Sequence, residues 1–239
     1  MASQNPKNRP VCLITGVGPG TGTALVKKFA QGGYTIAMMA RSAKRLEDLE
    51  DEIDQAWAFP CDISNKTEFS KAVASIQDRL GNPSVVIHNA VSGIFGNFLE
   101  IDVEALERNF RVNTSALLHL AQLTMPWMIK TGKGSLIATG NTSAYRGKAP
   151  FAGFAPTKAA QRILIESIAR EVWPKGIHAA YIAVDAVIDV PWTRERFPDQ
   201  PDDFFCKPED IANECYHLAH QPRSTWTSEL TIRPFGENW

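Results

Sequence analysis

Hydrophobic positions fall along this chain in two alternating patterns. Unbroken apolar runs such as Val11-Cys12-Leu13-Ile14 and Tyr34-Thr35-Ile36-Ala37-Met38-Met39-Ala40 lack polar alternation, the signature of strands covered on both faces. Between such runs, apolar residues recur every three or four positions, as on a helix that buries one stripe. The pattern predicts strands at residues 11–15, 34–40, 56–60, 84–88, 134–139, 178–184 and 229–232, and helices at 21–31, 43–53, 66–80, 103–125, 156–173 and 208–220. Strand and helix alternate with no compositional break and no internal repeat, which predicts an α/β doubly wound fold. Its seven-stranded parallel sheet carries helices on both faces, with a ligand crevice at the carboxyl ends of the strands.

Composition narrows the class. With 239 residues, 44% of them hydrophobic, the chain can bury a substantial core as one domain spanning residues 1–239. A net charge of −1 gives no electrostatic reason to expect nucleic acid or an anionic membrane as partner. Cys12, Cys61, Cys206 and Cys215 show no close paired spacing, so reduced thiols in the cytoplasm are expected rather than disulfides or zinc. The first residues have no apolar core for export, and no run is long enough to span a bilayer. His217 and His220 stand three apart on a predicted helix, but such a pair reads as surface histidine and no metal site is expected.

The most informative motif is Thr15-Gly16-Val17-Gly18-Pro19-Gly20-Thr21-Gly22, directly after the first strand. Glycines there let the backbone turn sharply and approach a pyrophosphate, while the following helix aims its first N–H groups at the anion. This is the loop of a nucleotide-binding Rossmann fold, with Gly16, Gly18, Pro19, Gly20 and Thr21 as cofactor contacts. The second strand ends on Arg41-Ser42, where an acid would bind a ribose 2′-hydroxyl. An arginine there suits a 2′-phosphate, so NADP(H) is the expected cofactor; the alternative is a solvated charge after a strand.

In several motifs that fall in order, the chain resembles the short-chain dehydrogenase/reductases over nearly its whole length. Residues 15–22 are similar to the family's TGxxxGxG loop, and Cys61-Asp62-Ile63 resembles its adenine-binding segment. His88-Asn89-Ala90-Val91 is similar to its NNAG segment, with Val91 in place of glycine. The resemblance implies cofactor roles for Asp62, Ile63, Asn89, Ala90, Val91, Val187 and Lys158, an active-site asparagine at Asn113, and a homodimer or homotetramer formed by helix pairing.

The resemblance breaks where proton chemistry should occur. Lys158 matches the family's lysine, but Phe154 stands where the catalytic tyrosine belongs and Asn141 where the serine belongs. Val184-Asp185 replaces the usual Pro-Gly. Reducing a ketone creates an alkoxide that needs a proton, and phenylalanine has none to give. An iminium carbon accepts hydride to become a neutral amine, so imines are the substrate class best suited to this site, followed by activated alkenes. Asp185 would favour a substrate cation, or remain protonated as an acid, or simply bond nearby backbone.

Asn113, Asn141, Lys158 and Asp185 are therefore the candidate catalytic residues. Asn113 and Asn141 either offer amide hydrogen bonds to substrate, carboxamide or water, or are ordinary polar positions. Lys158 retains ribose binding unless it is an exposed helix lysine. Tyr145 either replaces the missing phenol or lines the pocket with Phe151, Phe154 and Trp192. Residues 190–206 read as a substrate lid in loop conformation, rich in proline, charge and aromatic residues. The aromatic content suits an apolar, cyclic substrate. An NADPH-dependent reductase is expected; the alternative is a cofactor-binding sensor or partner subunit that has lost catalysis.

Overall fold

The computed structural model describes residues 8–236. Nine strands and eight α-helices follow in chain order: β1 (Val11–Thr15), α1 (Thr21–Gln31), β2 (Thr35–Ala40), α2 (Ala43–Glu52), β3 (Ala56–Pro60), α3 (Lys66–Arg79), β4 (Pro83–His88), α4 (Val103–Phe110), α5 (Ala116–Thr131), β5 (Gly134–Gly140), α6 (Ala155–Val172), β6 (Ile177–Val184), β7 (Val187–Ile188), α7 (Pro191–Arg196), β8 (Phe205–Cys206), α8 (Pro208–Ala219) and β9 (Glu229–Ile232). Seven of the strands form one sheet in the order β3-β2-β1-β4-β5-β6-β9, parallel throughout. The reversal of order between β1 and β4 opens a crevice at their carboxyl ends.

The continuous apolar strands are covered on both faces. Leu13, Met39, Leu136 and Tyr181 point to one side and pack with Phe69, Ile76, Leu117, Leu120 and Ile165 of α3, α5 and α6. Ile14, Ile36, Met38 and Ile182 point to the other, against Leu25, Phe29, Leu46, Ile211 and Leu218 of α1, α2 and α8. Each fully buried side chain of this size contributes about 1.5–3 kcal/mol of transfer free energy, so the two layers hold the strand ends rigidly. Short polar caps mark the helix starts: Ser42 accepts from Arg45 N–H, Asn65 from Thr67 and Glu68, and Asp102 from Glu104.

Two expectations are corrected. The helix expected at 103–125 consists of α4, a five-residue π-helical turn at Arg111–Ser115, and α5, which continues to Thr131. Pro126 lies inside α5; it removes one backbone donor but leaves the buried stripe of Leu120, Thr124 and Met128 intact, and packing outweighs its local cost. The segment 190–206, read as loop, contains α7 and contributes β8, which pairs in parallel with β7. Pro191 at the first turn of α7 supports a helix start, because the N–H it lacks would have had no helical partner.

Candidate active site

At the cofactor end, the β1–α1 loop is shaped by close approach. Gly16 has φ +76°, and a Cβ there would come within 2.4 Å of the Ala90 Cα. Only glycine meets both demands at low cost. A Cβ on Gly22 would meet the Gly16 carbonyl at 2.5 Å, and one on Gly20 would meet Val190 Cγ1 at 2.7 Å. Asn89 ties the β4 end to the loop, donating from Nδ2 to the Gly16 carbonyl (2.9 Å) while its Oδ1 accepts from Thr139 (2.9 Å). Gly20 caps α1 without a side-chain bond, and the buried Thr21 hydroxyl has no partner among the described residues. An orphaned hydroxyl at the positive end of an 11-residue helix fits a phosphate group.

The remaining cofactor candidates line the same end of the sheet. Arg41 is exposed just after β2, and Ser42 caps α2. Asp62 Oδ1 accepts from the Ser64 N–H (2.9 Å) and hydroxyl (2.7 Å), shaping the turn beside the nearly buried Ile63. Gly18 faces open space, Pro19 is exposed, and Ala90 lies buried against Gly16. Val91 is exposed at the end of the β4 segment, whereas Val187 sits on β7 and pairs with Phe205.

The chemical end is built from the π turn, the β5–α6 connection and the start of α6. Inserting a wide turn rotates Asn113 inward, where it is fully buried. Its Oδ1 accepts from Ser92 N–H (2.9 Å), and its Nδ2 donates to the Ser92 carbonyl and Thr157 hydroxyl (both 2.8 Å). The amide is thus occupied in joining the β4 loop to α6.

Lys158 is buried, and its Nζ donates to the Thr139 carbonyl (3.3 Å). Burial lowers its pKa to about 7, the behaviour of an ammonium removed from water without a carboxylate partner. His88 is buried beneath it and shares a hydrogen bond with Thr15 Oγ1 (3.1 Å). Burial first, and the Lys158 charge second, lower the His88 pKa to about 3, so the imidazole is neutral.

One turn before Lys158, Phe154 is also buried. Its ring lies 5.0 Å from Phe95, which lies 5.0 Å from Phe151, forming an aromatic wall. Two hydroxyls of the β5–α6 connection are bonded to carboxylates. Thr142 donates to Asp185, and Tyr145 donates to Glu229 at the sheet edge. Tyr181 reaches up from β6 beneath Gly140, where its phenol accepts from Asn141 N–H (3.3 Å) and donates to the Asn141 carbonyl (3.4 Å). A Cβ at Gly140 would lie 1.8 Å from that phenol oxygen, so glycine there makes room for it. Burial raises the Tyr181 pKa above its ordinary value.

Asp185 closes the end of β6. Partial burial pushes its pKa up, but hydrogen bonds from Thr142 and Arg233, with the charges of Arg146 and Arg233, outweigh this and hold the carboxyl below its usual value. The group is an ion-paired carboxylate, so the reading of a protonated acid gives way to one of an anion held by two arginines. Trp192 is exposed on α7. Thr142, Arg146, Tyr181 and Arg233 belong to this end and escaped the sequence reading. Their one sequence signal was a lone phenol within Ala179-Ala180-Tyr181-Ile182-Ala183, a strand too apolar to hold a hydroxyl without a purpose.

The match to the short chain dehydrogenase family model runs over residues 10–201, and the chain belongs to that family. An uncharacterized oxidoreductase from Staphylococcus epidermidis is 25% identical over 225 residues, covering 94% of this chain and 96% of the relative. The alcohol dehydrogenase of Thermococcus sibiricus, complexed with 5-hydroxy-NADP, superposes with TM-score 0.84 at 24% identity, over 96% of this chain and 98% of that one. The 3-ketoacyl-(acyl-carrier-protein) reductase of Brucella melitensis, complexed with NADH, superposes with TM-score 0.86 at 24% identity, over 95% and 97%. The fold is therefore shared with proteins that hold either form of the dinucleotide.

Proposed function

We propose that this protein is an NADPH-dependent reductase that delivers hydride to an apolar, cyclic substrate, with an imine C=N favoured over an activated C=C or a carbonyl. The observation that carries this reading is Phe154, buried one turn from Lys158, with the hydroxyls of Thr139, Thr142, Tyr145 and Tyr181 bonded to neighbouring protein groups. A carbonyl accepting hydride needs a proton at its oxygen, whereas a protonated imine arrives with its charge already in place.

When bound, NADPH would supply the hydride. Gly16, Gly18, Gly20 and Thr21 would hold its phosphates, and Arg41 with Ser42 would take the 2′-phosphate. Asp62 and Ile63 would face the adenine, with Asn89, Ala90, Val91 and Val187 along the remaining wall. Lys158 would bind ribose hydroxyls. Phe151, Phe154, Tyr145 and Trp192 would enclose the substrate and exclude water, with residues 190–206 as the lid of a single domain. Asn141 would orient the reacting group, and Asn113 would hold the wall beside it.

The exposed apolar residues Leu118 and Ile163 on α5 and α6, beside a hollow of about 550 Å³ lined by Lys66, Arg111, Leu118 and His119, support a homodimer or homotetramer. No helix of the described residues is long and apolar enough to cross a membrane, and four buried free cysteines support a cytoplasmic site of action. The test is NADPH consumption, followed by absorbance, with a panel of cyclic imines, enones and ketones. Turnover greatest on imines is the expected result. Tight NADPH binding with turnover on none of the panel would overturn it in favour of a sensor or partner subunit, a reading that rests on the missing tyrosine and serine.

A further inference from the structure

We propose that Asp185 is a positioning residue: through Thr142 and Arg233 it locks the turn that presents the Asn141 amide oxygen as an acceptor for a substrate N–H. Three segments of chain meet at this carboxylate. The Asp185 N–H donates to the Ile232 carbonyl of β9 (2.9 Å), and its Oδ2 accepts from Arg233 Nε just beyond that strand (2.9 Å). Its Oδ1 accepts from the Thr142 hydroxyl and from Arg146 Nη2 (3.4 Å), both on the β5–α6 connection. The Asp185 side chain is only 11% exposed, so these charge-assisted bonds are shielded from water.

The knot acts on Asn141 because Thr142 is its neighbour. Asn141 and Thr142 also close the short helical turn that follows, accepting from the Ala144 N–H (3.1 Å) and the Tyr145 N–H (3.0 Å). Tyr181 pins the Asn141 backbone from beneath. With backbone and following residue both fixed, the Asn141 Oδ1 is buried and has no protein partner among the described residues. A buried oxygen left without a donor is unfavourable unless a ligand completes it. A protonated imine carries an N–H on its reacting nitrogen, whereas a ketone offers only acceptors, so the unpaired oxygen selects between the two. This step rests on the imine reading of the site; the lock itself does not.

The experiment compares Asp185→Ala, Thr142→Val and Thr142→Ser with the unaltered chain, using amide hydrogen exchange, NADPH affinity by fluorescence, and kinetics on the best cyclic imine of the panel. For Asp185→Ala and Thr142→Val, exchange at Ala144 and Tyr145 rises about tenfold or more. NADPH affinity stays within about twofold, and kcat falls about tenfold with little change in KM, the mark of lost orientation. Thr142→Ser restores both exchange and kcat. Unchanged exchange in both disruptive variants would overturn the lock, and Thr142→Val answers this if Asp185→Ala fails to fold. If the unaltered protein turns over no imine, the imine reading and the acceptor role of Asn141 fail together, while exchange still decides the lock. Faster exchange with unaltered imine kinetics would overturn the positioning role.

Discussion

At the cofactor end of the crevice, Gly16, Gly20 and Gly22 are each confined by a neighbouring atom within 2.7 Å of where a Cβ would sit. At the chemical end, the proposed reading puts Phe154, Asn141 and Val184-Asp185 where the family's tyrosine, serine and Pro-Gly would stand. The first end is a backbone device. Its shape follows from glycine and helix geometry, so a side chain at Gly16, Gly20 or Gly22 would collide with Ala90, Val190 or the Gly16 carbonyl and distort the loop. The second end is a side-chain device, and its parts can be exchanged one at a time provided each new polar group finds a partner. Asp185 found Thr142, Arg146 and Arg233, and Tyr181 found the Asn141 backbone. On the proposed reading, the protein keeps its dinucleotide cradle and alters the chemistry beside it.

That contrast can be sharpened at the cofactor end first. Arg41→Ala should weaken NADPH binding about 10- to 100-fold, the worth of a charge-assisted phosphate contact, and leave NADH binding nearly unchanged. Titration of both cofactors by fluorescence checks this, and an equal loss for both would remove Arg41 from the phosphate site. A second effect, read in stability, comes from Lys158, where the two ends meet. Its ammonium titrates at about 7 in the folded chain against 10.5 for a free lysine. Between those values the unfolded chain binds more protons, so this group makes stability rise with pH. Between about pH 7 and about pH 9, stability of the original protein measured relative to Lys158→Met should rise by about 2 kcal/mol. Denaturant unfolding of both chains at the two pH values measures it, and a flat difference would mean the lysine is not desolvated.

How much of this was legible in the sequence follows the same division. Unbroken apolar runs placed β1 and β2, because a strand buried on both faces leaves no polar alternation; the other strands of the main sheet, down to the half-buried β9 with its Glu229 and Thr231, followed from the alternation of strand and helix along the chain. Gly16 to Thr21 stood out because a close approach leaves a glycine behind. The predicted helix stops at 125, one residue short of Pro126, whereas the buried stripe of Leu120, Thr124 and Met128 carries α5 on to Thr131. The short α7 and the β7–β8 pair were hidden by prolines and charges that also suit a loop, although Arg194 uses those charges to grip Asp189 (2.6 Å) and Asp202 (2.7 Å). Asp185 was singled out from the chain, but its partners were not. Arg233 lies 48 positions away, and a long-range ion pair leaves no periodic trace in a single sequence.

The most direct test of the central claim, that this crevice reduces a bond which needs no nearby hydroxyl, is to compare kcat/KM for a cyclic imine and for the ketone of matching shape before and after Phe154→Tyr. The account predicts that the original protein prefers the imine, and that the new phenol raises ketone reduction by about 10²-fold while changing imine reduction little. Equal or better ketone reduction by the original protein, together with no gain from the phenol, would contradict it.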